Sequence, residues 1–189
     1  MSQRVTTIGS YLCYAVEKEK GVRPTEGYEI IPEVKSFPDL NQEPESIEST
    51  TLLEPEYRTY EPGLKSLGTL SYGANMTDDL EDTVDGLIDE QDAAAKEGKR
   101  VWFAEVAPKL KKASFFAGKV SAINFSEFGV NEMGDTTMYI TPTTGIRRYA
   151  KPTLTEKSEQ LLAEIAGESY KTQMLSTGST TKGKTEVTV

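Results

Sequence analysis

The stretch of residues 30–72, IIPEVKSFPDLNQEPESIESTTLLEPEYRTYEPGLKSLGTLSY, decides the fold. Residues 45–52 within it are rich in β-branched side chains and predict a strand. A second strand is predicted over residues 67–76. The residues between them, 53–66, include three turn-forming residues: Pro55, Pro62 and Gly63. Because proline fixes φ and lacks an N–H donor, this segment cannot pair as a central strand. The sequence therefore predicts two strands joined by a long β–β loop.

This loop is unusually apolar. Loops are normally polar, yet this one carries two tyrosines and two leucines. These side chains either fold back onto the chain's own sheet or contact a partner, and aromatic residues commonly anchor interfaces. We take the partner contact as the working prediction. The predicted subunit or ring interface consists of Leu52, Leu53, Tyr57, Tyr60, Pro62 and Leu64.

The residues after the loop predict a two-faced strand and then a helix. In residues 67–76, Leu70, Tyr72 and Ala74 share one face, whereas the other face is small and polar, suited to solvent or a channel. The spacing of apolar residues over 77–96 predicts an amphipathic helix. Thr77 or Asp78 can cap this helix, and Gly98 fits its end.

Further strands are predicted on both sides of this region. They cover residues 5–16 (one strand or two), 28–34, 100–107, 114–128 (a long strand or a bent pair), 135–141 and 146–149. The strand at 100–107 is apolar on both faces except at Glu105. A short helix is predicted over 155–166. The predicted fold class is α+β, an antiparallel β-sandwich or half-barrel flanked by one main helix. Pro152 marks the predicted boundary between a domain of residues 1–150 and a C-terminal helical arm of residues 151–189.

The composition limits the chemistry that the chain can perform. It has no histidine, which removes the usual general base and the usual metal ligand, and a single cysteine, which excludes an internal disulfide. Neither a calcium-binding loop pattern nor a glycine-rich phosphate loop is present. We therefore predict no catalytic residue, no metal site, no cofactor and no enzyme activity. No apolar run is long enough for a membrane helix, so no membrane partner is predicted.

The net charge of −9 is unevenly distributed. Residues 26–97 carry 19 acidic and 4 basic side chains, whereas residues 99–151 carry 4 acidic and 9 basic ones. Such polarity can make a chain complementary to a second copy in a head-to-tail sense. The alternative is that the acidic residues are simply solvated. The overall negative charge argues against tight static binding of nucleic acid.

An ordered set of residues resembles the major tail tube proteins of long-tailed, siphovirus-type phages. The likeness extends over residues 28–142. The matching residues are Ile31, Pro32, Val34, Pro44, Ser46, Ile47, Glu48, Thr50, Thr51, Leu52, Tyr60, Pro62, Gly63, Leu64, Gly68, Leu70 and Tyr72.

This resemblance implies a structural role in the virion tail. Members of that family look like hexameric rings that stack head-to-tail into a hollow tube, with strands of all subunits forming the inner barrel. The resemblance implies that loop 39–66 reaches the neighbouring ring. It further implies a tape-measure protein in the lumen, tail terminator and distal tail proteins at the tube ends, and double-stranded DNA in transit. Assembly is then expected in the host cytoplasm.

Three alternatives stay open. The chain can be a non-polymerising β-sandwich binding module that uses the Tyr57/Tyr60 loop as its ligand site. It can be a carboxylate enzyme, in which Asp85 and Asp89, on one helical face, form a buried acid pair. It can also be a related tube, such as that of a contractile tail or a secretion system.

Overall fold

A computed structural model describes residues 9–41, 44–49, 60–65, 68–124 and 134–166. Within these residues the chain forms eleven strands and two helices. The strands are β1 (Tyr11–Val16), β2 (Glu26–Ile31), β3 (Val34–Ser36), β4 (Pro44–Glu48), β5 (Tyr60–Lys65), β6 (Leu70–Asn75), β7 (Val101–Val106), β8 (Lys112–Val120), β9 (Asp135–Pro142), β10 (Arg147–Ala150) and β11 (Thr153–Leu154). The helices are α1 (Asp78–Lys96) and α2 (Glu156–Ala166).

Nine of these strands form one curled sheet. Its order is β11-β2-β1-β7-β8-β9-β6-β3, and β10 pairs with the first half of β8. All pairings are antiparallel except β11 with β2. The predicted α+β half-barrel is confirmed, with the short parallel strand β11 as an addition.

Two apolar cores lie on opposite faces of the central strands. Along β7, Phe103 enters the first core, which α1 covers, and Ala104 enters the second. Along β1, Leu12 enters the first core and Cys13 enters the second. The prediction that 100–107 is a central strand covered on both faces is therefore confirmed. The second core is covered by residues of β10 and α2, including Tyr149 and others that pack against it.

Helix α1 has the capping and packing that its sequence predicts. The Thr77 side chain accepts a hydrogen bond from the Leu80 backbone N–H at 3.3 Å, which satisfies one of the free donors of the first turn. Leu80, Val84 and Leu87 are fully buried in the first core. Gly98 follows the helix with φ of 69°, a left-handed conformation that glycine adopts without steric cost.

Two predictions about strands need correction. The predicted strand 114–128 ends at Val120, and residues 121–124 lie outside any strand. Part of the predicted loop is in fact strand β5, which pairs with β4 in a separate two-stranded ribbon. Because both strands of such a ribbon are edge strands, Pro62 in β5 is tolerated there, as it is not in a central strand.

The segment after β10 packs on β2. Thr155 caps α2, since its hydroxyl accepts from the Ser158 N–H at 3.4 Å. Ser158 is buried, and its hydroxyl accepts from the Ile30 N–H at 3.0 Å. The predicted second helix is confirmed over Glu156–Ala166. The division of the chain at residue 150 stays a prediction.

Candidate assembly surface

The β4–β5 ribbon is a two-stranded sheet separate from the main sheet. Its register places Glu48 opposite Tyr60 and Ile47 opposite Glu61. Directly opposed residues of an antiparallel pair point to the same face. Tyr60 with Glu48 therefore lies on one face of the ribbon, and Ile47 with Glu61 lies on the other.

Among the side chains of the ribbon that the structure describes, each face presents one large apolar group to solvent. Ile47 is 57% exposed and Tyr60 is 55% exposed. The other described side chains of the ribbon, Ser46, Glu48 and Glu61, are exposed as well. A two-stranded hairpin alone in water is only marginally stable. The described side chains of the ribbon therefore leave apolar groups uncovered on both of its faces.

The predicted interface residues are distributed unevenly over the described chain. Tyr60, Pro62 and Leu64 lie in β5, and Tyr60 is exposed. Leu52, Leu53 and Tyr57 lie outside the described residues. Sequence reasoning did not single out Ile47, although its β-branched side chain in an alternating polar strand was visible. The interface itself stays a prediction.

The outer face of β6 and β9 is a second candidate surface. The alternation predicted for residues 67–76 is confirmed over Leu70–Asn75, since Leu70, Tyr72 and Ala74 are buried and the residues between them are not. Strand β9 pairs with β6, so the residues of β6 that are not buried lie next to the residues of β9 on the same side of the sheet. The outer face consists of Ser71, Gly73, Asn75, Asp135, Thr137, Tyr139 and Thr141.

This outer face carries almost no net charge. Its one ionisable carboxylate, Asp135, forms an ion pair with Lys35, which follows Val34 in β3. Lys119 of β8 lies opposite Thr141 at the border of the face. Hydroxyl and amide groups dominate the rest. Such a surface offers few contacts for the phosphates of DNA.

Gly73 allows β3 to approach this surface. Its backbone N–H donates to the Ser36 hydroxyl at 3.1 Å. A Cβ at residue 73 would collide with that hydroxyl oxygen. The absence of a side chain at Gly73 therefore fixes how closely the edge strand packs on β6.

We expect Gly73→Ala to destabilise the chain by about 1–2 kcal/mol, because Ser36 must rotate away and lose its hydrogen bond. Urea denaturation measures the change. Gly68→Ala is the matched control, because nothing lies within 4 Å of a Cβ at that position. Adding Ser36→Gly to Gly73→Ala should recover part of the loss. Equal effects of Gly73→Ala and Gly68→Ala would contradict the packing argument.

Two carboxyl groups, one half-buried and one fully buried, support the fold beneath these surfaces. Glu105 lies on the core-facing side of β7, and the Tyr72 hydroxyl donates to it at 2.6 Å. Burial raises the pKa of Glu105 to about 7, although the Tyr72 hydrogen bond acts in the opposite direction. Sequence analysis identified Glu105 only as an exception in an apolar strand. No sequence signal identified Tyr72 as its partner.

Glu17 is the second buried carboxylate. Its side chain is fully buried, and it accepts hydrogen bonds from Gly21, Arg100 and Trp102. Burial alone raises the pKa of Glu17, but the hydrogen bonds from Trp102, Gly21 and Arg100 and the Arg100 charge outweigh it and lower the pKa. Glu17 thus joins the turn after β1 to the start of β7.

The acid pair of the enzyme alternative is not buried. Asp85 and Asp89 are both exposed on α1. Within the described ranges, no three His, Cys, Asp or Glu side chains come together as ligands for a metal ion. Neither α1 nor α2, the helices of the described residues, is long and apolar enough to cross a membrane. The described surface therefore offers contact areas and no acid pair enclosed for catalysis.

The geometry of the sheet is shared with known structures. The chain superimposes on a subunit of the SPP1 tail tube with a TM-score of 0.52 and 12% identity, covering 84% of this chain and 86% of that one. The chain has a tail tube fold. A structure of the anti-feeding prophage cap, described as tube-terminating, matches with a TM-score of 0.52 and 10% identity over 80% of this chain and 94% of that one.

A further structure shares the fold, whereas the sequence comparisons give no family. A chain from the anti-feeding prophage baseplate matches with a TM-score of 0.53 and 8% identity, over 79% of this chain and 98% of that one. No family model matches the sequence, and none of the curated proteins does. At such low identities the likeness establishes the fold, as the resemblance had implied.

Proposed function

We propose that the chain is the subunit of a phage tail tube. In this proposal it assembles as hexameric rings that stack head-to-tail into a hollow tube, which conducts double-stranded DNA to the host. The observation that carries the proposal is the tail tube fold combined with the neutral outer face of β6 and β9.

The outer face of β6 and β9 suits the wall of a channel for DNA. Because phosphates bind chiefly to lysine and arginine, a surface of hydroxyl and amide groups lets DNA slide without sticking. Before DNA enters, the tape-measure protein occupies the lumen in this proposal. The tail terminator and distal tail proteins close the two ends, and the tube is assembled in the host cytoplasm before it becomes part of the virion.

The test is negative-stain electron microscopy of the purified chain over a concentration series, with and without tail-tip nucleators. Hollow tubes of six-fold symmetry are expected. A chain that stays monomeric at high concentration with nucleators present would contradict the tube and favour the binding module.

We expect Tyr60→Ala to raise the concentration required for tube formation, because it removes an exposed aromatic side chain from the ribbon. A loss of about 2 kcal/mol per contact corresponds to roughly a thirtyfold change. Sedimentation of tubes measures the threshold. Val22→Ala is the control, since Val22 is 56% exposed in the turn after β1 and is not part of the ribbon. Equal thresholds for wild type and Tyr60→Ala would exclude Tyr60 from the interface.

The tube of a contractile system is the second candidate. It is supported by a chain of the sheath/tube terminator of an extracellular contractile injection system, which matches with a TM-score of 0.51 and 11% identity over 79% of this chain and 99% of that one. Antibody labelling of particles from the producing cells distinguishes the phage tail tube from the tube of a contractile system. Label along tails attached to DNA-filled heads supports the phage tail, whereas label on headless contractile particles supports the second candidate.

A further inference from the structure

A cluster of basic side chains lies at the start of β8. In the pairing of β8 with β10, Arg148 lies opposite Ser114, and Ala150 lies opposite Lys112. Alternate residues of a strand share a face, so Arg148 and Lys112 are diagonal neighbours at about 7–8 Å. The basic cluster consists of Lys109, Lys111, Lys112, Arg147 and Arg148, which are all exposed. None of these side chains forms an ion pair with a residue that the structure describes.

Helix α1 carries a stripe of aspartates on the side that faces away from the core. The stripe consists of Asp78, Asp82, Asp85, Asp89 and Asp92. Their spacing of i, i+4, i+7, i+11 and i+14 places them on one line about 21 Å long, opposite Leu80, Val84 and Leu87 in the first core. All members of the stripe are exposed, and none is in an ion pair within the described ranges.

The aspartate stripe does not stabilise α1 itself. Aspartate is a poor helix former, and like charges three or four positions apart repel each other. Only Asp78 lies in the first turn, where the helix dipole favours an anion, so the other members gain nothing from the dipole. A stripe of one sign that weakens its own helix is suited to contact with a basic surface.

The aspartate stripe and the basic cluster lie at opposite ends of β8. This strand begins at Lys112 and ends at Val120, about 26 Å away. Helix α1 is attached at the far end, where the Val120 N–H donates to Gln91 Oε1 at 2.8 Å and Gln91 Nε2 donates to the Val120 carbonyl at 3.4 Å. Its first turn lies farther still from Lys112, because the preceding strand β6 extends past Val120 along β9. The two surfaces of one copy therefore cannot meet each other.

We infer that the aspartate stripe of one copy docks on the basic cluster of a second copy of this chain. The inference rests on the proposed function, because it names the surfaces by which successive copies meet in the tube. Each contact leaves one acidic and one basic surface uncovered at the two ends of the pair, so the association continues head-to-tail. The same charges prevent two copies from meeting through like ends.

A second copy fits the basic cluster better than nucleic acid does. Phosphates are the other anions that lysine and arginine bind, but the net charge of −9 repels them from the chain as a whole. A second copy is repelled in the same way, yet it also presents a basic end to the acidic stripe, so both surfaces are neutralised in one contact.

Charge reversal tests the docking. The first variant carries Lys112→Glu and Arg148→Glu, the second carries Asp85→Lys and Asp89→Lys, and the third combines all four changes. Each of the first two alone should need at least about a tenfold higher concentration to form tubes, because like charges then face each other. The third variant, and an equal mixture of the first two, should form tubes near the wild-type threshold, because opposite charges face each other again.

Two control variants change the net charge by the same amounts away from both surfaces. One carries Lys20→Glu and Lys157→Glu, and the other carries Glu159→Lys and Glu164→Lys, all at exposed positions. Both should assemble like wild type. Circular dichroism should show that every variant is folded.

Zero-length cross-linking locates the contact whether or not tubes form. Unlabelled and isotope-labelled wild-type copies are mixed, and a carbodiimide joins carboxylates to lysines that touch them. Mass spectrometry should detect peptides in which an aspartate of the stripe is joined to Lys109, Lys111 or Lys112, with one partner labelled and the other unlabelled.

Absence of these mixed peptides would overturn the inference. So would tube formation by the first two variants at the wild-type threshold, or failure of their mixture to assemble. Retention of DNA by wild type that the first variant loses, with normal assembly of the second, would assign the basic cluster to nucleic acid instead. If wild type gives mixed peptides but forms no tubes with nucleators present, the proposed function fails while the docking between copies stands.

Discussion

Glu105→Gln should stabilise the folded chain by about 3 kcal/mol at pH 8 and leave its stability at pH 4 nearly unchanged. Burial raises the pKa of Glu105 to about 7 from its ordinary value of 4.5. Each unit of difference between the folded and unfolded pKa corresponds to about 1.4 kcal/mol. The wild-type chain therefore carries an energetic cost at high pH that a neutral glutamine avoids.

The sign of this pH dependence follows from whether the folded or the unfolded chain binds the Glu105 proton more tightly. The folded chain favours the protonated Glu105, so this group contributes most to stability below pH 4.5. That contribution is lost as pH rises towards 7, because the folded chain must then ionise a carboxyl group in the first core. Glutamine keeps an oxygen that accepts from the Tyr72 hydroxyl, so the hydrogen bond itself is conserved.

Urea denaturation of wild type and Glu105→Gln between pH 4 and pH 8 measures the difference. Asp85→Asn is the matched control, because it removes the same charge from an exposed position. Tyr72→Phe removes the donor that favours the ionised carboxylate, so it should raise the pKa of folded Glu105 further, and the loss of stability should become larger and continue to higher pH. A difference between wild type and Glu105→Gln that is constant across this range would refute the assignment.

Local patterns were sufficient for the elements that have one clear apolar face. The period of α1 and the alternation of β6 both follow from burial on one side. One-sided burial gives the apolar residues a regular spacing in the sequence. The strand at β7 was predicted for a related reason, since two apolar faces require cover on both sides. The predicted strand over 114–128 was too long because an apolar residue such as Ile123 can pack against the first core without belonging to a strand.

The ribbon shows what local patterns could not provide. Its prolines exclude a central strand, but they do not exclude an edge strand, and only the three-dimensional pairing of β4 with β5 decides between loop and ribbon. The same limit applies to the candidate surface. Tyr60 was found from its aromatic character, whereas the opposite placement of Ile47 follows from a register that a single strand does not reveal.

Glu17 illustrates the limit most clearly. In the sequence it opens a charged turn and resembles its solvated neighbours. In the structure its partners Arg100 and Trp102 lie 83 and 85 residues away. No period or motif relates these positions, because the sheet alone brings β1 and β7 together.

Glu17→Ala should be among the most damaging single substitutions, costing about 3–5 kcal/mol of stability. The carboxylate accepts from Trp102 Nε1 at 2.8 Å, the Gly21 N–H at 2.9 Å, and the backbone N–H and Nε of Arg100, each at 3.2 Å. Alanine removes every one of these acceptors and leaves the Trp102, Gly21 and Arg100 donors without the buried carboxylate that they share. Such unsatisfied buried groups cost far more than a lost surface ion pair.

Chemical denaturation at pH 7 measures the loss, with Glu19→Ala as the control. Glu19 is an exposed acid in the same turn, so its removal should change stability by less than about 0.5 kcal/mol. Trp102→Phe removes a single donor and should cost less than Glu17→Ala. Glu17→Gln retains one acceptor oxygen but turns an NH2 group towards the donors, so its stability should lie between those of wild type and Glu17→Ala.

The contribution of Glu17 also depends on pH. Because the pKa of Glu17 is lowered in the folded chain, its contribution to stability is present above pH 4.5 and disappears as pH falls below that value, opposite to the contribution of Glu105. If Glu17→Ala and Glu19→Ala proved equally mild, the carboxylate would not be the connection between the turn and β7.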